Sequence, residues 1–233
     1  MGSEMCIRDR ALRVETNCAS SGGTGPWSYD RRMAFPEPAG VPRASQTAKS
    51  VLRARLVAAR ETRPSDPAGD GARTAAALEL SRFHETVAVY ASVAPEPATS
   101  ELITALHELG IEVLLPLLGR EPDWARFAGW GEMTASWRGI AVPTTGSFGP
   151  NALTRATMIW CPGLAGSPSG DRLGTGGGWY DRALGWRCPD SIVGLLLYDD
   201  EILDDIPTEP HDLKVELILT ERRTLDCPLG RPE

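Results

Sequence analysis

The chain has 233 residues, which is enough for one domain of ordinary size with a well-buried core. Its formal net charge of −7 argues against a nucleic-acid-binding surface, and no apolar run approaches the length of a membrane span. The five cysteines are widely spaced and form no Cys-x-x-Cys pair, so neither a disulfide framework nor a zinc site is indicated. We therefore expect a cytoplasmic protein that binds neither nucleic acid nor membrane.

The N-terminal part of the chain predicts a disordered leader over residues 1–44. This segment is rich in Gly, Ser and Pro and has no sustained helical or strand periodicity. Within it, Met5–Arg10 resembles sequence read through from outside the gene, so we expect the native start to lie further in. One domain is predicted over residues 45–225, followed by a tail over residues 226–233.

Two helices are predicted directly after the leader. The first begins at Ser45, a good N-cap residue, and is amphipathic. Its apolar positions at helical spacing are Val51, Leu52, Leu56 and Ala59. The second helix follows the turn Pro64–Asp70 and carries apolar residues as far as Phe83.

Short apolar runs further along predict the strands of one sheet. A strand at Thr86–Ala91, a helix at Thr99–Leu109 and a strand at Ile111–Pro116 form a right-handed βαβ unit with parallel strands. Three further strands are predicted at Ala156–Cys161, Ile192–Tyr198 and Val215–Leu219. The fold class is therefore α/β, an open, mostly parallel sheet flanked by helices, with ligands expected beyond the carboxyl ends of its strands.

Residues 121–150 form an irregular segment that contains Trp124, Trp130 and Trp137. Such a segment at the edge of a sheet is either a substrate lid or ordinary surface packing. Three tryptophans supply more aromatic area than a solvent-exposed loop requires, so the composition favours the lid.

The most informative stretch of the chain runs from Gly170 to Gly178. It has five glycines in nine residues between an extended segment and a helix-forming one, so bare backbone amides can converge on an anion there. A glycine run alone more often indicates a flexible linker, but Arg172 within it and Trp179–Arg182 after it are not linker composition. The spacing fits neither a P-loop nor the dinucleotide-binding fingerprint. We expect a phosphate-binding loop of another kind.

Three distant segments form one pattern. Lys49–Arg53 reads Lys-Ser-Val-Leu-Arg, Arg172–Asp181 reads Arg-Leu-Gly-Thr-Gly-Gly-Gly-Trp-Tyr-Asp, and Pro207–Asp212 precedes the last predicted strand. Together they resemble the 5-formyltetrahydrofolate cyclo-ligase family, also called methenyltetrahydrofolate synthetases. The resemblance extends from about Ala48 to Glu221 and implies a three-layer architecture like that of CoA-transferases and sugar-phosphate isomerases.

The resemblance implies an ATP site. Lys49 and Arg53 match two cations that contact ATP in the family, and their spacing of four places both on one face of a helix. Without the glycine loop, the same pair would indicate only a solvated basic face. The residues implied to bind ATP as co-substrate are Lys49, Ser50, Val51, Leu52, Arg53, Arg172, Leu173, Gly174, Thr175, Gly176, Gly177, Gly178, Trp179 and Tyr180.

The resemblance also implies catalytic, folate-binding and metal-binding residues. The implied catalytic residues around the transferred phosphoryl group are Arg172, Gly176, Gly177 and Tyr180. The implied folate contacts are Ala91, Glu96, Thr175, Gly176, Gly177, Gly178 and Trp179. Asp181 and Asp212 match the family's Mg²⁺ ligands, and two carboxylates suit magnesium because phosphate oxygens and water complete its shell. Considered singly, Asp181 would pair with Arg182, and Asp212 would form a turn.

The reaction implied by the resemblance uses ATP to phosphorylate the formyl oxygen of 5-formyltetrahydrofolate. The N10 atom then attacks the activated carbon, and phosphate leaves to give 5,10-methenyltetrahydrofolate. This path needs no protein nucleophile, because it depends on two positioned ligands and on neutralised phosphoryl charge. The implied partners are these small molecules alone, and we expect a monomer.

A few positions depart from the family pattern. Gly166 and Ser167 stand where relatives carry a Phe-Asp-like pair, which removes an aromatic pocket wall and a carboxylate. Thr175 replaces a residue that is often basic or aromatic, and Val142 replaces a glutamate. The alternative function is therefore a non-catalytic or regulatory relative that binds nucleotide or folate without turnover. A third hypothesis is that the protein is a relative of sugar-phosphate isomerases or CoA-transferases, but this hypothesis leaves the Lys49–Arg53 segment unexplained.

Overall fold

The computed structural model describes residues 43–136 and 139–228, and its framework is a seven-stranded sheet. The strands in chain order are β1 (Thr86–Ala88), β2 (Glu112–Pro116), β3 (Trp124–Arg126), β4 (Met133–Ala135), β5 (Ala141–Pro143), β6 (Met158–Cys161), β7 (Ala165–Gly166), β8 (Arg172–Leu173), β9 (Ile192–Leu196), β10 (Leu217–Leu219) and β11 (Thr224–Asp226). The main sheet has the order β11-β10-β9-β6-β1-β2-β3. Its inner strands are mutually parallel, and the edge strands β11 and β3 run antiparallel to their neighbours. The predicted α/β class with a mostly parallel sheet is confirmed.

Helices flank this sheet. Those in the described residues are α1 (Arg43–Glu61), α2 (Pro67–Ser81), α3 (Ser100–Glu108) and α4 (Trp179–Leu184). Helix α3 joins the parallel strands β1 and β2, as the predicted βαβ unit requires, and Gly110 with φ +78° follows its end. Across the described ranges, no helix combines the length and the apolarity that crossing a bilayer demands.

The centre of the sheet is buried on both faces. Every residue of β1, β6 and β9 is buried, which explains why their sequences are continuous apolar runs. No side chain fits at Gly194 in β9, because a Cβ there would overlap the indole ring of Trp160 in β6. The Trp160 indole nitrogen donates to Ser81 Oγ at 2.8 Å and so ties α2 to the sheet. This packing fixes the strand ends from which the candidate site is built.

Helix α2 begins earlier than predicted. It starts at Pro67, inside the expected turn, because the Asp66 carboxylate accepts a hydrogen bond from the Gly69 amide at 3.0 Å and proline suits the first helical position. The helix ends at Ser81, so the predicted extension to Phe83 is wrong.

Helix α1 begins at Arg43, inside the predicted leader and before the predicted N-cap Ser45, and it packs through a narrower apolar face than predicted. The buried cluster around Leu56 consists of Leu164, Ala165, Leu173 and Ile206. Leu52 packs against this cluster, whereas Val51 is 66% exposed and Ala59 is also exposed, so their predicted place on the apolar face is wrong. The physical reason is that the basic side chains of Lys49 and Arg60 occupy the rest of the buried face of α1.

A buried ion pair fixes the C-terminal half of α1. Arg60 Nε and Nη2 each donate to a carboxylate oxygen of Glu201 at 2.7 Å, and neither side chain is more than 4% exposed. Arg60 Nη2 also donates to the Gly163 carbonyl at 2.6 Å. The guanidinium groups of Arg60 and Arg63 lie 5.7 and 4.1 Å from the ring centre of Tyr198. Helix α1 is therefore held against the segments that follow β6 and β9.

The predicted strands are confirmed but are shorter than expected. Strand β1 ends at Ala88, β9 ends at Leu196, and β10 begins only at Leu217. Val89, Tyr90 and Ala91 remain buried after β1 has ended. Apolar composition therefore continues past the last ladder hydrogen bond, which is why it overstates strand length.

The segment 121–150 is more regular than predicted. It supplies the edge strand β3, a 3₁₀ turn at Trp130–Glu132 and the antiparallel pair β4 and β5. Trp124 is buried, while Trp130 is 43% exposed. Trp137 lies outside the described residues, as do residues 1–42 of the predicted leader and residues 229–233 of the predicted tail. The lid stays a prediction.

Candidate functional site

The glycine loop, Gly174–Gly178, connects strand β8 to helix α4, so its predicted position between an extended segment and a helix is confirmed. Thr175, Gly176 and Gly177 are exposed, and their amides donate no hydrogen bond to any residue that the structure describes. Gly176 and Gly178 have φ values of +103° and +61°, which L side chains rarely adopt. The loop therefore presents bare amide donors to solvent.

Helix α1 reaches the glycine loop through Arg53. Its Nε donates to the Gly174 carbonyl at 2.9 Å. A Cβ on Gly176 would lie 3.4 Å from the guanidinium carbon, so the arginine lies directly against the loop. A guanidinium beside bare amides suits a phosphate group, because both kinds of donor can bind its oxygens.

Lys49 lies one turn earlier on the same face of α1 and is 4% exposed. Its ammonium nitrogen is 2.8 Å from Glu209 Oε2 and 2.5 Å from Asp212 Oδ2. The Glu209 amide also donates to Asp212 Oδ2 at 2.7 Å. The third predicted segment, Pro207–Asp212, is thus joined to α1 through Lys49.

Three potential metal ligands lie together in this segment. Across the described residues, the cluster that could hold an ion consists of Glu209, His211 and Asp212, whose ligand atoms all lie within 4.8 Å of one another. Glu209 Oε1 is buried and has no hydrogen-bond partner in the described structure. A buried carboxylate oxygen without a partner is chemically suited to a hard cation. Glu209 was not among the predicted ligands, although its place three residues before Asp212 was a signal.

Asp181, the other predicted metal ligand, does not belong to that cluster. Its Oδ1 accepts a hydrogen bond from Arg172 Nη2 at 2.6 Å, and the Arg172 side chain is 4% exposed. Arg182 instead donates to the carbonyls of Gly177 and Arg120, both at 3.3 Å, so the pairing of Asp181 with Arg182 is wrong. The metal-binding role of Asp181 stays a prediction.

Aromatic side chains pack together at the start of α4. The rings of Trp124, Trp179 and Tyr180 meet edge to face, with centroids 5.0 to 6.5 Å apart. Both indole nitrogens and the Tyr180 hydroxyl are buried without hydrogen-bond partners in the described structure, as is Arg172 Nε. Burial raises the pKa of Tyr180 well above its usual value, so this hydroxyl stays a hydrogen-bond donor. Sequence reasoning placed Trp124 in a lid and missed this contact with the start of α4.

The segment that follows β1 carries the other predicted folate contacts. Ala91 is buried, and the Glu96 carboxylate accepts a hydrogen bond from the Val93 amide at 3.0 Å. Burial raises the pKa of Glu96, although the Val93 amide and Arg60 act in the opposite direction. The charge of Glu96 is one of the smaller causes of the raised pKa of Tyr180. The folate contacts of both segments stay predictions.

The remaining predicted ATP contacts differ in exposure. Ser50 and Val51 are exposed, Leu52 is half-buried, and Leu173 is buried in the cluster beneath α1. Their side chains make no hydrogen bond to the glycine loop in the described structure, and their ATP contacts stay predictions. Within the Lys49–Arg53 segment, the two basic side chains make the connections to the other loops.

The expectation that glycine at position 166 removes an aromatic pocket wall is wrong. A Cβ on Gly166 would come within 2.7 to 3.1 Å of Ile218, Leu195 and Leu197 side chains, so this position points into the core and not toward a pocket. The adjacent Ser167 is fully buried and donates to the Asp171 carboxylate at 3.1 Å. Glycine at 166 therefore removes no pocket wall.

Comparisons with known proteins show the family and the fold of this chain. The family model for the 5-formyltetrahydrofolate cyclo-ligase family matches residues 45–221. A 5-formyltetrahydrofolate cyclo-ligase of Mycolicibacterium smegmatis is 33% identical over 189 residues, covering 77% of this chain and 96% of its own. The cyclo-ligase of Mus musculus is 28% identical over 149 residues, covering 58% of this chain and 72% of its own. The solved 5,10-methenyltetrahydrofolate synthetase of Aquifex aeolicus has a TM-score of 0.68 at 23% identity, covering 79% of this chain and 95% of its own.

Proposed function

Because this chain belongs to the 5-formyltetrahydrofolate cyclo-ligase family, we propose that it converts 5-formyltetrahydrofolate and ATP into 5,10-methenyltetrahydrofolate, ADP and phosphate. Family membership supports the coarser description, a ligase of folate metabolism. The use of ATP, the phosphorylated formyl intermediate and the role of magnesium are the proposed parts. So are the domain limits of residues 45–225, the cytoplasmic location and the monomeric state.

The convergence of three distant segments carries this proposal. Arg53 bonds to the glycine loop, and Lys49 on the same helical face bonds to the acidic segment Glu209–Asp212. The loop offers exposed amides, the helix offers cations, and the acidic segment offers carboxylates. A site for a nucleotide with its counter-ion needs these three kinds of group within reach of one another.

The glycine loop would hold the phosphoryl group during transfer. Amides of Thr175, Gly176 and Gly177 donate to its oxygens, and Arg53 supplies positive charge from the helix side. Arg172 is a second guanidinium, held in orientation by Asp181 and with its Nε unpartnered. Arg53 is already held against the loop by the Gly174 carbonyl, so it can stabilise charge on the moving group with little reorganisation.

Magnesium, when bound, would neutralise phosphate charge beside the loop. The residues present fit this ion, because Asp212 and the unpartnered Glu209 oxygen are hard oxygen donors on one short segment. Asp181, the second predicted ligand, would first have to leave Arg172.

The folate would lie between the glycine loop and the segment after β1. Tyr180 and Trp179 offer unpartnered hydrogen-bond donors, and Glu96 offers a carboxyl group whose pKa is raised by burial. The Tyr180 and Trp179 donors suit a formyl or pterin carbonyl oxygen. The role of this chain's residues is then to align the formyl oxygen with the phosphoryl group and to exclude water.

The decisive experiment follows methenyltetrahydrofolate absorbance after 5-formyltetrahydrofolate is mixed with the protein, with and without ATP and Mg²⁺. We expect absorbance to rise only when both are present.

Asp181→Asn is expected to lower Mg²⁺-dependent turnover more than it lowers thermal stability, because it removes a charge next to Arg172 and changes little in volume. Tryptophan fluorescence changes with both ligands but no product would instead support the regulatory alternative.

A further inference from the structure

The acidic segment already holds a cation of the protein's own. The Lys49 ammonium lies between Glu209 Oε2 and Asp212 Oδ2, and the side chains are 5%, 11% and 18% exposed. This contact crosses 160 residues of sequence, so it is made by the fold and not by a local turn. An ammonium in this position occupies carboxylate oxygens that a metal ion would use.

The charges at this contact do not balance. Two carboxylates face one ammonium, and Glu209 Oε1 is buried without a hydrogen-bond partner in the described structure. Another donor to Asp212 Oδ2 is the neutral Glu209 amide, and His211 Nε2 lies 3.6 Å from Glu209 Oε2 and 4.0 Å from Asp212 Oδ1. The segment therefore keeps excess negative charge and an unused acceptor even with Lys49 in place, and a divalent cation would satisfy both.

Lys49 also has a second destination within reach of its helix. Arg53 lies one turn further along the same face and bonds to the glycine loop. A lysine side chain is a flexible stem with a compact charge, so it can exchange one anionic partner for another without moving the helix.

We propose that Lys49 and the divalent cation exclude each other from the Glu209–Asp212 carboxylates, and that metal binding releases Lys49 toward the nucleotide phosphates. Lys49 is then both a competitor of the metal and a phosphate ligand, and Glu209 is a further ligand of the metal. This rests on the proposed function, which assigns the metal to Asp212 and the phosphates to the glycine loop.

The test is the affinity of the full-length protein for Mn²⁺ without nucleotide, measured from the free Mn²⁺ signal in electron paramagnetic resonance. Lys49→Met is expected to bind Mn²⁺ about tenfold more tightly than the wild type, because it removes the competing charge. Glu209→Gln is expected to bind it about tenfold more weakly. Unchanged or weaker binding by Lys49→Met, or unchanged binding by Glu209→Gln, would overturn the proposal.

Two matched variants separate competition from a general loss of positive charge. Lys49→Arg keeps the charge between the carboxylates and is expected to keep wild-type Mn²⁺ affinity. Arg53→Met removes a cation from the same helical face, but Arg53 bonds to a carbonyl and not to these acids. A gain in Mn²⁺ affinity for Arg53→Met equal to that of Lys49→Met would overturn the proposal.

Folding of the variants is tested in parallel. If Lys49→Met fails to fold without metal, Lys49→Gln replaces it, since the amide still donates to a carboxylate. Mn²⁺ is then expected to raise the melting temperature of Lys49→Gln more than that of the wild type. If Lys49→Met gains Mn²⁺ affinity but the wild type has no cyclo-ligase activity, the proposed function is contradicted and this inference stands. If the wild type is active but Lys49→Met shows no gain, the proposed function stands and this inference is overturned.

Discussion

Helix α1 carries a contact between Arg60 and a buried carboxylate and a contact between Lys49 and two half-buried carboxylates, and they differ in how fully their polar atoms are used. At Arg60, both oxygens of Glu201 accept from the guanidinium, which also donates to the Gly163 carbonyl. At Lys49, two carboxylates meet one ammonium, and Glu209 Oε1 has no partner in the described structure. The first contact is complete without a ligand, whereas the second has an unused acceptor and excess negative charge.

The difference teaches that a buried charge alone does not indicate function. Burying an ion pair costs much of what the pair returns, so its usual result is fixed geometry between elements. Arg60 fits that role, because its partners follow β6 and β9 and hold α1 in place. An unsatisfied atom beside excess charge, as at Glu209, is the better guide to a ligand.

The largest expected effect separates the two contacts by stability. Arg60→Met should lower the free energy of unfolding by about 4 kcal/mol, because it leaves Glu201 buried without its partner. Urea unfolding at pH 7.5 measures this loss, and adding Mg²⁺ should not restore it. Recovery with Mg²⁺ would place the metal at Glu201 and break the comparison. The double variant Arg60→Met, Glu201→Leu is the control, since removing both charges should recover much of the stability.

Acid should lower the free energy of unfolding through His84. The Arg60 and Lys49 contacts should therefore be compared at a pH above the range in which His84 has this effect. Burial lowers the pKa of His84 from 6.5 to about 4, and its Nδ1 lies 2.7 Å from Thr157 Oγ1. Below pH 6.5 the unfolded chain takes up a proton that the folded chain does not. The loss should grow to about 3 kcal/mol as the pH falls to 4.

Urea unfolding between pH 7.5 and 4 measures this effect as the difference between the wild type and His84→Gln, which cannot titrate. Equal pH dependence in both proteins would show that acid acts elsewhere.

A smaller effect is expected within the glycine loop. Gly176→Ala should cost about 2 kcal/mol and weaken ATP binding, because its φ is +103° and the new Cβ would press on Arg53. Gly177→Ala is the matched control, since its Cβ would enter open space. Thermal unfolding and ATP titration measure both variants. Equal losses would mean that loop flexibility matters, and not the conformation of Gly176.

The smallest effect is expected at an exposed neighbour of the Arg60 contact. Arg63 makes two hydrogen bonds to Asp200, whose side chain is 65% exposed. Asp200→Asn should change the free energy of unfolding by less than about 1 kcal/mol, because water screens this pair. A loss as large as that of Arg60→Met would show that burial does not distinguish the two.

Much of the fold could be predicted from sequence because its strands are buried on both faces. Runs such as Met158–Cys161 and Ile192–Leu196 are apolar throughout and leave little alternative to a parallel sheet. Strands such as β3 and β8 have two or three residues, too few to show periodicity. The start of α2 was missed because the Asp66 cap lies inside a stretch that also reads as a turn.

The candidate site was predictable in its parts but not in its pairings. Resemblance to a family identified Lys49, Arg53 and the glycine loop, and the fold brings them together through Arg53. The pairing of Lys49 with Glu209 joins residues 160 positions apart, and local spacing carries no information about such a contact. Asp181 was predicted as a metal ligand, with Arg182 as the alternative partner, and its contact with Arg172 was missed.

The pairing of Lys49 with Asp212 also bears on the order of events during synthesis. While a ribosome makes this protein, α1 emerges early, and its lysine has no acidic partner until some 163 further residues have followed. The nascent polypeptide can form local helices and part of the sheet in the meantime, but it cannot complete the site. Translation stopped short of residue 209 would therefore leave the ammonium group of Lys49 on α1 without this acidic segment.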